Sequence, residues 1–334
     1  MGRSKLGVIF IGVLLIVGIG FIFLGQHLKT NNSEDRVLNI KNSISMDSLE
    51  ILVANQFGIS FYPGFGKICH WIGYDHPSPI YLVVKPKTSA WNLAKLLLKY
   101  QSETSNWVLR SSWYSKELVV SIAGKIPYDE KTILGILSDS LVLASLGVNR
   151  QTWPVLFIPN TYNLKKATTP IGWLKRMKIE SDKFWTKNRE KALMTKGISK
   201  LDAVIIASIV TKESNKISEF GKIASVYRLR LKLNMPLQAD PTVVFAKGSS
   251  GRVLSADLKI NSAYNTYLYS GLPPGPICIP DPLAIDSCLF GREYPYLYFC
   301  ANSNLQPEHL FETTLKAHNK NARAYHRALD AMKK

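Results

Sequence analysis

The sequence predicts an α+β protein with three parts: a single N-terminal transmembrane helix, a small α+β module and a larger mixed α/β domain. Three observations predict this division. An uninterrupted apolar run occupies residues 6–24. A strand-like run, a turn and a helix-like run follow one another over residues 79–98. Beyond residue 150, apolar residues recur at helical spacing between strand-like runs, which is typical of a mixed domain.

The apolar run Leu6–Leu24 comprises nineteen residues without a charge. At about 1.5 Å per residue, a helix of this length spans roughly the 30 Å hydrocarbon core of a bilayer. A cleaved signal peptide is the alternative, but its apolar region is usually about 7–15 residues long and ends in a small-residue cleavage site. Gly25-Gln26-His27 is a poor site of that kind. We therefore predict a cytoplasmic stub at 1–5, an anchor at 6–24 and the rest of the chain outside the cytoplasm.

The composition is that of an ordinary globular protein with a strongly basic charge. The chain has 334 residues, of which 46% are hydrophobic and 20% charged, and its formal net charge is +18. This length suffices for one or two domains with proper cores. The basic balance favours an anionic partner, such as a nucleic acid, an anionic membrane surface or an acidic polymer, without choosing among them.

The four cysteines are Cys69, Cys278, Cys288 and Cys300. None forms a C-x-x-C pair, so the sequence predicts no zinc site. A disulfide is open to them outside the cytoplasm. However, Cys278 and Cys300 lie in apolar sequence, which favours buried free thiols. We predict neither a metal nor a cofactor.

The small module is predicted between the anchor and residue 150. Ile80–Val84 is an apolar strand, and Lys85–Ser89 is a turn in which Thr88 or Ser89 can cap a helix. Ala90–Leu98 then carries leucines at helical spacing. A strand, a turn and a short helix in this order resemble the opening of a LysM-like glycan-binding module, although a generic strand–helix unit has the same order.

Periodicity and turn residues predict the remaining elements on both sides of a domain boundary near residue 150. On the N-terminal side they are a helix within 46–60, strands at Trp107–Leu109 and Glu117–Ala123, and a helix at Asp129–Ser138. On the C-terminal side they are an apolar strand over Thr152–Tyr162, a basic helix over Pro170–Thr195 and a buried strand at Tyr296–Cys300. Residues 25–150 thus form the module with its connecting region, and residues 151–334 form the larger domain.

One helix of the larger domain carries a lone carboxylate at the end of its apolar face. Ser199 and Asp202 have the spacing of a capping box at its start. Ile205, Ile209 and Glu213 follow at i, i+4 and i+8, so they share one face. A carboxylate at the end of an apolar face is desolvated, which raises its pKa and suits it to general acid catalysis.

The alternative is an ordinary exposed carboxylate at a helix end, because lysines lie nearby in the sequence. Downstream, Pro236–Thr242 and Ser262–Tyr267 combine aromatic rings with amides and hydroxyls. Such a surface suits carbohydrate binding, although peptide binding would also fit. Gly271–Pro276 belongs either to that surface or to a rigid structural turn. The spacing alone leaves both roles open for Glu213.

Six segments of the second half of the chain carry a resemblance to a known family, and they follow one another in the same order as in that family. They are Ala207–Glu213, Met235–Val243, Tyr264–Tyr267, Gly271–Ile277, Tyr296–Phe299 and the C-terminal His309 with His318-Asn319. Together they resemble the MltG/YceG-like family of endolytic murein transglycosylases, well over residues 150–325 and loosely over 40–150. The resemblance implies that Glu213 is the catalytic acid/base. It also implies a set of substrate-binding residues along the cleft, namely Gln238, Asp240, Thr242, Tyr264 and Asn265.

Three positions depart from the family pattern. The first of two acids usual in this helix is Thr211 here, which leaves Glu213 as the candidate acid. The second helix of the family carries Asn-Arg-Leu, and its first residue here is Leu229, so the resemblance implies a missing cleft amide. Asn234 replaces a helix-ending glycine, and asparagine tolerates the left-handed backbone of such a position. His309 lies in a loop facing the cleft in the family, but a surface position fits its sequence equally well.

The resemblance implies a membrane-anchored endolytic murein transglycosylase of the bacterial inner membrane, with its catalytic domain outside the cytoplasm. Such an enzyme cuts between N-acetylmuramic acid and N-acetylglucosamine in nascent glycan strands without water. It leaves 1,6-anhydro ends, which would terminate glycan elongation. The implied partners are peptidoglycan glycan strands, membrane lipids and the cell-wall synthesis machinery. The mechanism requires no metal and no cofactor.

Other functions stay open at this stage. A lysozyme-like hydrolase needs two carboxylates, about 5–5.5 Å or 6.5–9.5 Å apart, and Asp240 is the candidate for the second. A membrane-anchored glycan-binding protein without catalysis would fit the departures at Thr211 and Leu229. Nucleic-acid binding fits the charge, but it does not fit the predicted position outside the cytoplasm, and the sequence contains no recognisable nucleic-acid motif.

Overall fold

The computed structural model describes Gly20, residues 28–58 and residues 64–332. Apart from Gly20, the predicted anchor at 6–24 lies outside the described residues. Within the described ranges, no helix has both the length and the apolarity needed to cross a bilayer. The chain divides into two compact units that each contain helices and strands, so the predicted α+β class is confirmed.

The two units are not simple halves of the sequence. The first unit comprises the described residues up to Trp107, together with Ile122–Thr132 and Tyr162–Gly172. The second unit comprises Val108–Ser121, Ile133–Thr161 and Trp173–Lys334. The boundary near residue 150 stays a prediction.

Helices outnumber strands in the part of the chain that the structure describes. The elements up to residue 145 are β1 (Arg36–Ile40), α1 (Met46–Phe57), α2 (Phe65–Trp71), β2 (Ile80–Val84), α3 (Ala90–Ser102), β3 (Thr104–Leu109), α4 (Ser115–Ile122), α5 (Glu130–Ser138) and α6 (Ser140–Ser145). The chain continues with a 3₁₀ turn (Trp153–Leu156), β4 (Asn160–Lys165), α7 (Pro170–Phe184), α8 (Lys187–Lys196), α9 (Lys200–Glu213), α10 (Ile217–Lys232), α11 (Asp240–Lys247), a 3₁₀ turn (Asp257–Lys259), α12 (Pro282–Phe290), β5 (Tyr298–Ala301), β6 (His309–Glu312) and α13 (Leu315–Met332).

The first unit packs α1, α2 and α3 against an antiparallel pair of strands. β1 pairs with β2, with Leu38 opposite Leu82 at the centre. Ser89 caps α3 as predicted, because its side chain accepts a hydrogen bond from Asn92 N. Apolar side chains of the three helices and of both strands form one core. β3 and β4 form a second two-stranded sheet, most of which belongs to this unit.

The second unit is built around α9. Nine consecutive residues of this helix, Ala203–Thr211, are buried. A helix that is buried on every side lies inside a core rather than on its surface. α9 packs against α10, α11 and α12. β5 pairs antiparallel with β6, and α13 packs against both strands.

Two predicted segments near the cleft have a different structure. Glu117–Ala123 is not a strand but forms most of α4, because Leu118 and Ile122 are buried one helical turn apart. The segment was predicted as a strand because β-branched residues, which it contains, are enriched in strands. The loop expected over Pro236–Thr242 ends early, since α11 begins at Asp240 with proline in its first turn.

Three further boundaries were predicted wrongly. Thr152–Tyr162 is not one strand, because a 3₁₀ turn with Pro154 near its start occupies Trp153–Leu156 and β4 begins only at residue 160. The basic helix over Pro170–Thr195 is two helices. Trp185 is buried between them, and the Thr186 side chain caps the second by accepting from the backbone of residue 189. The strand at Tyr296–Cys300 starts at residue 298 and is half-buried rather than buried.

The prediction of buried free thiols is confirmed for three of the four cysteines. Cys69, Cys278 and Cys288 are buried and unpaired, and Cys300 is a half-buried free thiol. Burial raises the pKa of each of the three buried thiols to about 12. They are therefore uncharged core side chains at neutral pH.

The segment Gly271–Pro276 is a structural turn that packs closely against the backbone of Gln151. A substitution at Gly275 tests this packing. A Cβ atom at Gly275 would lie 2.1 Å from the backbone oxygen of Gln151. We therefore predict that Gly275→Ala lowers the free energy of unfolding by about 1–3 kcal/mol, because the backbone must shift. Urea denaturation followed by circular dichroism measures the change.

Gly221 in α10 provides the matched control, since a Cβ atom there meets nothing within 4 Å. Gly221→Ala should raise the free energy of unfolding by about 0.4–1 kcal/mol through the smaller entropy of the unfolded chain. Equal effects of the two substitutions would contradict the close approach at Gly275.

Candidate active site

The helix α9 carries Glu213 from the core to a cleft. Its predicted capping box is present: Asp202 N donates to Ser199 Oγ at 3.0 Å, and Ser199 N donates to Asp202 Oδ2 at 3.1 Å. Ile205 and Ile209 are buried in the core. The shared face that the spacing predicts therefore leads from the interior of the second unit to the carboxylate of Glu213.

Two hydroxyl groups on α9 fix the loop beside this carboxylate. Ser208 Oγ accepts from Ile277 N at 3.1 Å, and Thr211 Oγ1 accepts from Asp281 N at 2.9 Å. Each hydroxyl also donates to a carbonyl oxygen of the helix. Thr211 is thus buried and fully hydrogen-bonded, and its role is structural.

Glu213 ends α9 as a partly exposed carboxylate with protein packed around it. Tyr227 OH donates to its Oε1 atom at 2.6 Å. Burial, with a smaller contribution from the charge of Asp240, raises the pKa of Glu213 from 4.5 to about 7. The hydrogen bond from Tyr227 and the charge of Arg230 oppose this rise. Near neutral pH the carboxyl group is therefore about half protonated, which suits a general acid.

Tyr267 and Arg230 complete the polar surroundings of the carboxylate. Tyr267 OH donates to Asp240 Oδ1 at 2.6 Å. Arg230 is buried and donates to the carbonyl oxygens of Leu297 at 2.7 Å and Leu237 at 2.9 Å. Desolvation lowers the pKa of the Arg230 guanidinium. Arg230 therefore holds the backbone of two segments while its positive charge acts on the cleft.

Three cavities share Glu213 as a lining residue. The first cavity, of about 770 Å³, is also lined by Asp240 and Phe245. The second, of about 420 Å³, is lined by Asp240 and Gln238, and the third, of about 670 Å³, by Asn215. Cavities that share one lining residue suit an extended ligand bound across that residue. Within the described ranges, no cluster of three or more His, Cys, Asp or Glu side chains could hold a metal ion.

Two of the predicted substrate residues lie on the cavity walls. Asp240 and Gln238 are exposed and both line the second cavity. Gln238 has a left-handed backbone with a φ of 48°, and its N–H donates to Thr266 O at 3.1 Å. Tyr264 is half-buried, and its ring centre lies 4.5 Å from that of Phe245, which lines the first cavity. Tyr264 therefore supports the cavity wall from behind.

The other two predicted residues, Thr242 and Asn265, do not reach the cavities. Both are fully buried. Thr242 Oγ1 lies 2.8 Å from Thr266 Oγ1, and Asn265 Nδ2 donates to the carbonyl oxygens of Leu258 and Ile260 at 3.0 and 2.9 Å. These bonds fix the loops beneath the cleft. Thr242 and Asn265 therefore hold the loops beneath the cleft in position, and neither lines the three cavities that share Glu213.

Several residues of the site were missed from the sequence. Tyr227 and Arg230 lie three positions apart on one face of α10, a spacing that could have suggested a shared role. His309, expected in a loop or on the surface, lies on β6 and lines the second and third cavities. Leu229 is half-buried and is not among the residues that line the three cavities shared by Glu213.

A sequence model of the YceG-like family matches residues 80–324, which is more than half of the chain. The chain belongs to the YceG-like family. This YceG-like chain is 31% identical over 225 residues to the endolytic murein transglycosylase of Bacillus subtilis (strain 168), a match covering 63% of this chain and 62% of the relative. It is 32% identical over 172 residues to the endolytic murein transglycosylase of Streptococcus pneumoniae serotype 2, a match covering 50% of this chain and 31% of the relative.

The matched part therefore spans less than two thirds of the length of these relatives. A 2.6 Å crystal structure of a yceG-like protein from Listeria monocytogenes matches with a TM-score of 0.58 and 24% identity. That match covers 86% of this YceG-like chain and 99% of the Listeria chain, and it concerns the fold alone. The family membership that the ordered motifs predict is confirmed.

The raised pKa of Glu213 predicts how stability depends on pH. Between about pH 4.5 and 7 the folded protein keeps a proton that the unfolded chain releases, so the wild type loses stability as the pH rises through this window. Glutamine has no such proton. We therefore expect Glu213→Gln to unfold with a free energy on the order of 2–3 kcal/mol above that of the wild type at pH 8, and with no difference near pH 4.

Urea titrations at both pH values measure this difference. Glu190→Gln is the matched control, since it removes the same charge from an exposed position on α8. It should change the free energy of unfolding by no more than about 0.5 kcal/mol at either pH. A Glu213→Gln variant that is less stable than the wild type at pH 8 would contradict a desolvated, protonated Glu213.

Proposed function

We propose that this protein is an endolytic murein transglycosylase. In this proposal it cleaves the bond between N-acetylmuramic acid and N-acetylglucosamine in nascent peptidoglycan strands and leaves 1,6-anhydro ends. The observation that carries the proposal is a residue, Glu213, that lines three cavities and whose carboxyl group has a pKa of about 7. The relatives named endolytic murein transglycosylase support the choice of substrate.

In the proposed reaction Glu213 acts first as an acid and then as a base. It donates its proton to the oxygen that links the two sugars, and the bond from that oxygen to C1 of the muramic acid breaks. The 6-hydroxyl oxygen of the same sugar then bonds to C1, and its proton passes to the Glu213 carboxylate. The carboxyl group is thereby restored and no water is consumed. Tyr227 stabilises the ionised state between the two steps, since its hydroxyl donates to the carboxylate.

A lysozyme-like hydrolase is the second candidate, and Asp240 favours it. This exposed carboxylate shares two cavities with Glu213, and its charge raises the pKa of Glu213. A hydrolase would use Asp240 as the second carboxylate that its mechanism needs. The two reactions differ in their product, because hydrolysis gives reducing ends and the transglycosylase reaction gives 1,6-anhydro ends.

We further propose that residues 6–24 anchor the chain in the bacterial inner membrane and that the first unit is a LysM-like module. The uncharged apolar run supports the anchor. Ala90 N donates to Leu28 O at 2.7 Å, so the chain is hydrogen-bonded to α3 of the first unit shortly after the apolar run. In this arrangement the basic chain meets anionic lipid headgroups and the carboxylates of peptidoglycan stems, and the cell-wall synthesis machinery lies within reach.

Substitution of Glu213 separates the proposed function from its rivals. We expect Glu213→Gln to reduce cleavage of purified sacculi by about 10²–10⁴-fold, because glutamine neither donates nor accepts the proton. Mass spectrometry of the wild-type digest should show 1,6-anhydro ends. Reducing ends would identify the hydrolase instead, and strands that are bound but never shortened would identify a binding protein.

Glu190→Gln serves again as the charge control and should cleave sacculi like the wild type. Circular dichroism of each variant establishes that it is folded. Near-normal cleavage by a folded Glu213→Gln protein would remove Glu213 from the catalytic role.

The hydrogen bond from Tyr227 predicts a shift in the pH profile. Cleavage should fall as the pH rises above about 7, because the acid loses its proton. The Tyr227 hydroxyl lowers the pKa of Glu213, so Tyr227→Phe should raise that pKa and move the fall in activity to higher pH. Initial rates from pH 5 to 9 measure both profiles, and a shift to lower pH would contradict the assignment.

A further inference from the structure

A second carboxylate lies in the wall behind the cavities and accepts three hydrogen bonds. Glu219, in the first turn of α10, is buried. His309 N donates to its Oε1 atom at 2.8 Å, and Ser214 Oγ donates to its Oε2 atom at 2.8 Å. The third bond joins Oε2 to His309 Nδ1, also at 2.8 Å. One carboxylate thus binds both the backbone and the ring of the same histidine.

This arrangement determines which ring nitrogen of His309 carries the proton. Burial alone would raise the pKa of Glu219, but the hydrogen bonds from His309 and Ser214 outweigh it, so the pKa lies below its ordinary value. Glu219 is therefore ionised at neutral pH and can only accept hydrogen bonds. Nδ1 must then be the donor. In the neutral ring, Nε2 is left without a proton and acts as an acceptor.

The acceptor atom Nε2 belongs to a ring at the edge of the site. The His309 side chain is 19% exposed, and the residue lines the second and third cavities together with Glu213. Among the residues that the structure describes, none is hydrogen-bonded to Nε2. The ring packs edge-on against Phe299, with 5.3 Å between the ring centres. Phe299 in turn packs against Tyr227, the partner of Glu213.

We propose that His309 is a substrate-binding residue whose Nε2 atom accepts a hydrogen bond from a hydroxyl or acetamido N–H group of the glycan. Glu219 is the positioning residue that fixes the ring in this tautomer. The proposal rests on the proposed function and adds a saccharide contact next to Glu213. Ser214, which directly follows Glu213, donates to the same Glu219 carboxylate. Glu219 therefore links the backbone next to Glu213 to the ring of His309.

Binding can be measured without turnover in the full chain carrying Glu213→Gln. The probe is peptide-free glycan strands prepared from sacculi. Adding His309→Asn keeps a donor near the Nδ1 position for Glu219 but removes Nε2. We expect the Kd for the strands to rise about 5–20-fold, as the loss of one hydrogen bond predicts. His326→Asn, an exposed histidine on α13, is the matched control and should leave the Kd unchanged.

Glu219→Gln tests the positioning role. The single oxygen of glutamine should accept from His309 N, which can only donate, and this places the amide nitrogen, a donor, next to Nδ1. The preference for a proton on Nδ1 is then lost. Nitrogen-15 spectra of ring-labelled histidine should show His309 protonated at Nδ1 in the otherwise wild-type chain and a shift toward Nε2 protonation in Glu219→Gln. The same substitution should weaken glycan binding, and combining it with His309→Asn should weaken binding no further.

Two results would overturn the proposal. One is a Kd for His309→Asn within twofold of its parent while the control behaves as expected. The other is an unmodified chain in which His309 carries its proton on Nε2. The proposed function fails on a different result, namely reducing ends or unshortened strands in the wild-type digest, so the two failures can be told apart.

Discussion

The partial burial of one carboxylate, that of Glu213, is the constraint on which the second unit depends. Removing a charge from water is unfavourable unless partners replace the water. Glu213 accepts one hydrogen bond, from Tyr227. The positive charge of Arg230 lowers its pKa, and the negative charge of Asp240 raises it. These partners do not fully replace the lost water, so the pKa is raised and the carboxyl group keeps its proton to a higher pH. The same burial therefore lowers stability at alkaline pH and creates the acid that the chemistry requires.

A half-buried acid can act on a ligand only if the surrounding loops stay in place. The hydroxyls of Ser208 and Thr211 hold the segment after Gly275, and Thr242 with Thr266 holds the turn that carries Gln238. These groups are buried and satisfied by one another, which favours a single arrangement of the loops. Of the site residues predicted from the sequence, Glu213, Gln238 and Asp240 line the three cavities that share Glu213. Thr242 and Asn265 instead hold the loops beneath the cleft.

Local patterns predicted the parts of the site that depend on a few neighbouring residues. The capping box at Ser199, the apolar face of α9 and the position of Glu213 all follow from spacing within one helix. The pairing of Tyr227 with Glu213 spans 14 residues, and that of His309 with Glu219 spans 90. Such pairs depend on how helices and strands pack, which periodicity does not encode. The wrongly predicted strand in α4 has the related cause that β-branched residues tolerate both structures when they are buried.

Thr211 and Leu229, two of the three positions at which the resemblance implies a departure from the family, have different surroundings. At Thr211 a hydroxyl occupies a buried position, where it donates to Ala207 O and accepts from Asp281 N. An ionised side chain there would need a further partner, because its charge would lie one half-turn from Glu213. Leu229 is half-buried outside the lining of the three cavities. Neither departure removes a group from the immediate surroundings of the Glu213 carboxyl, so the arrangement that raises its pKa is complete without them.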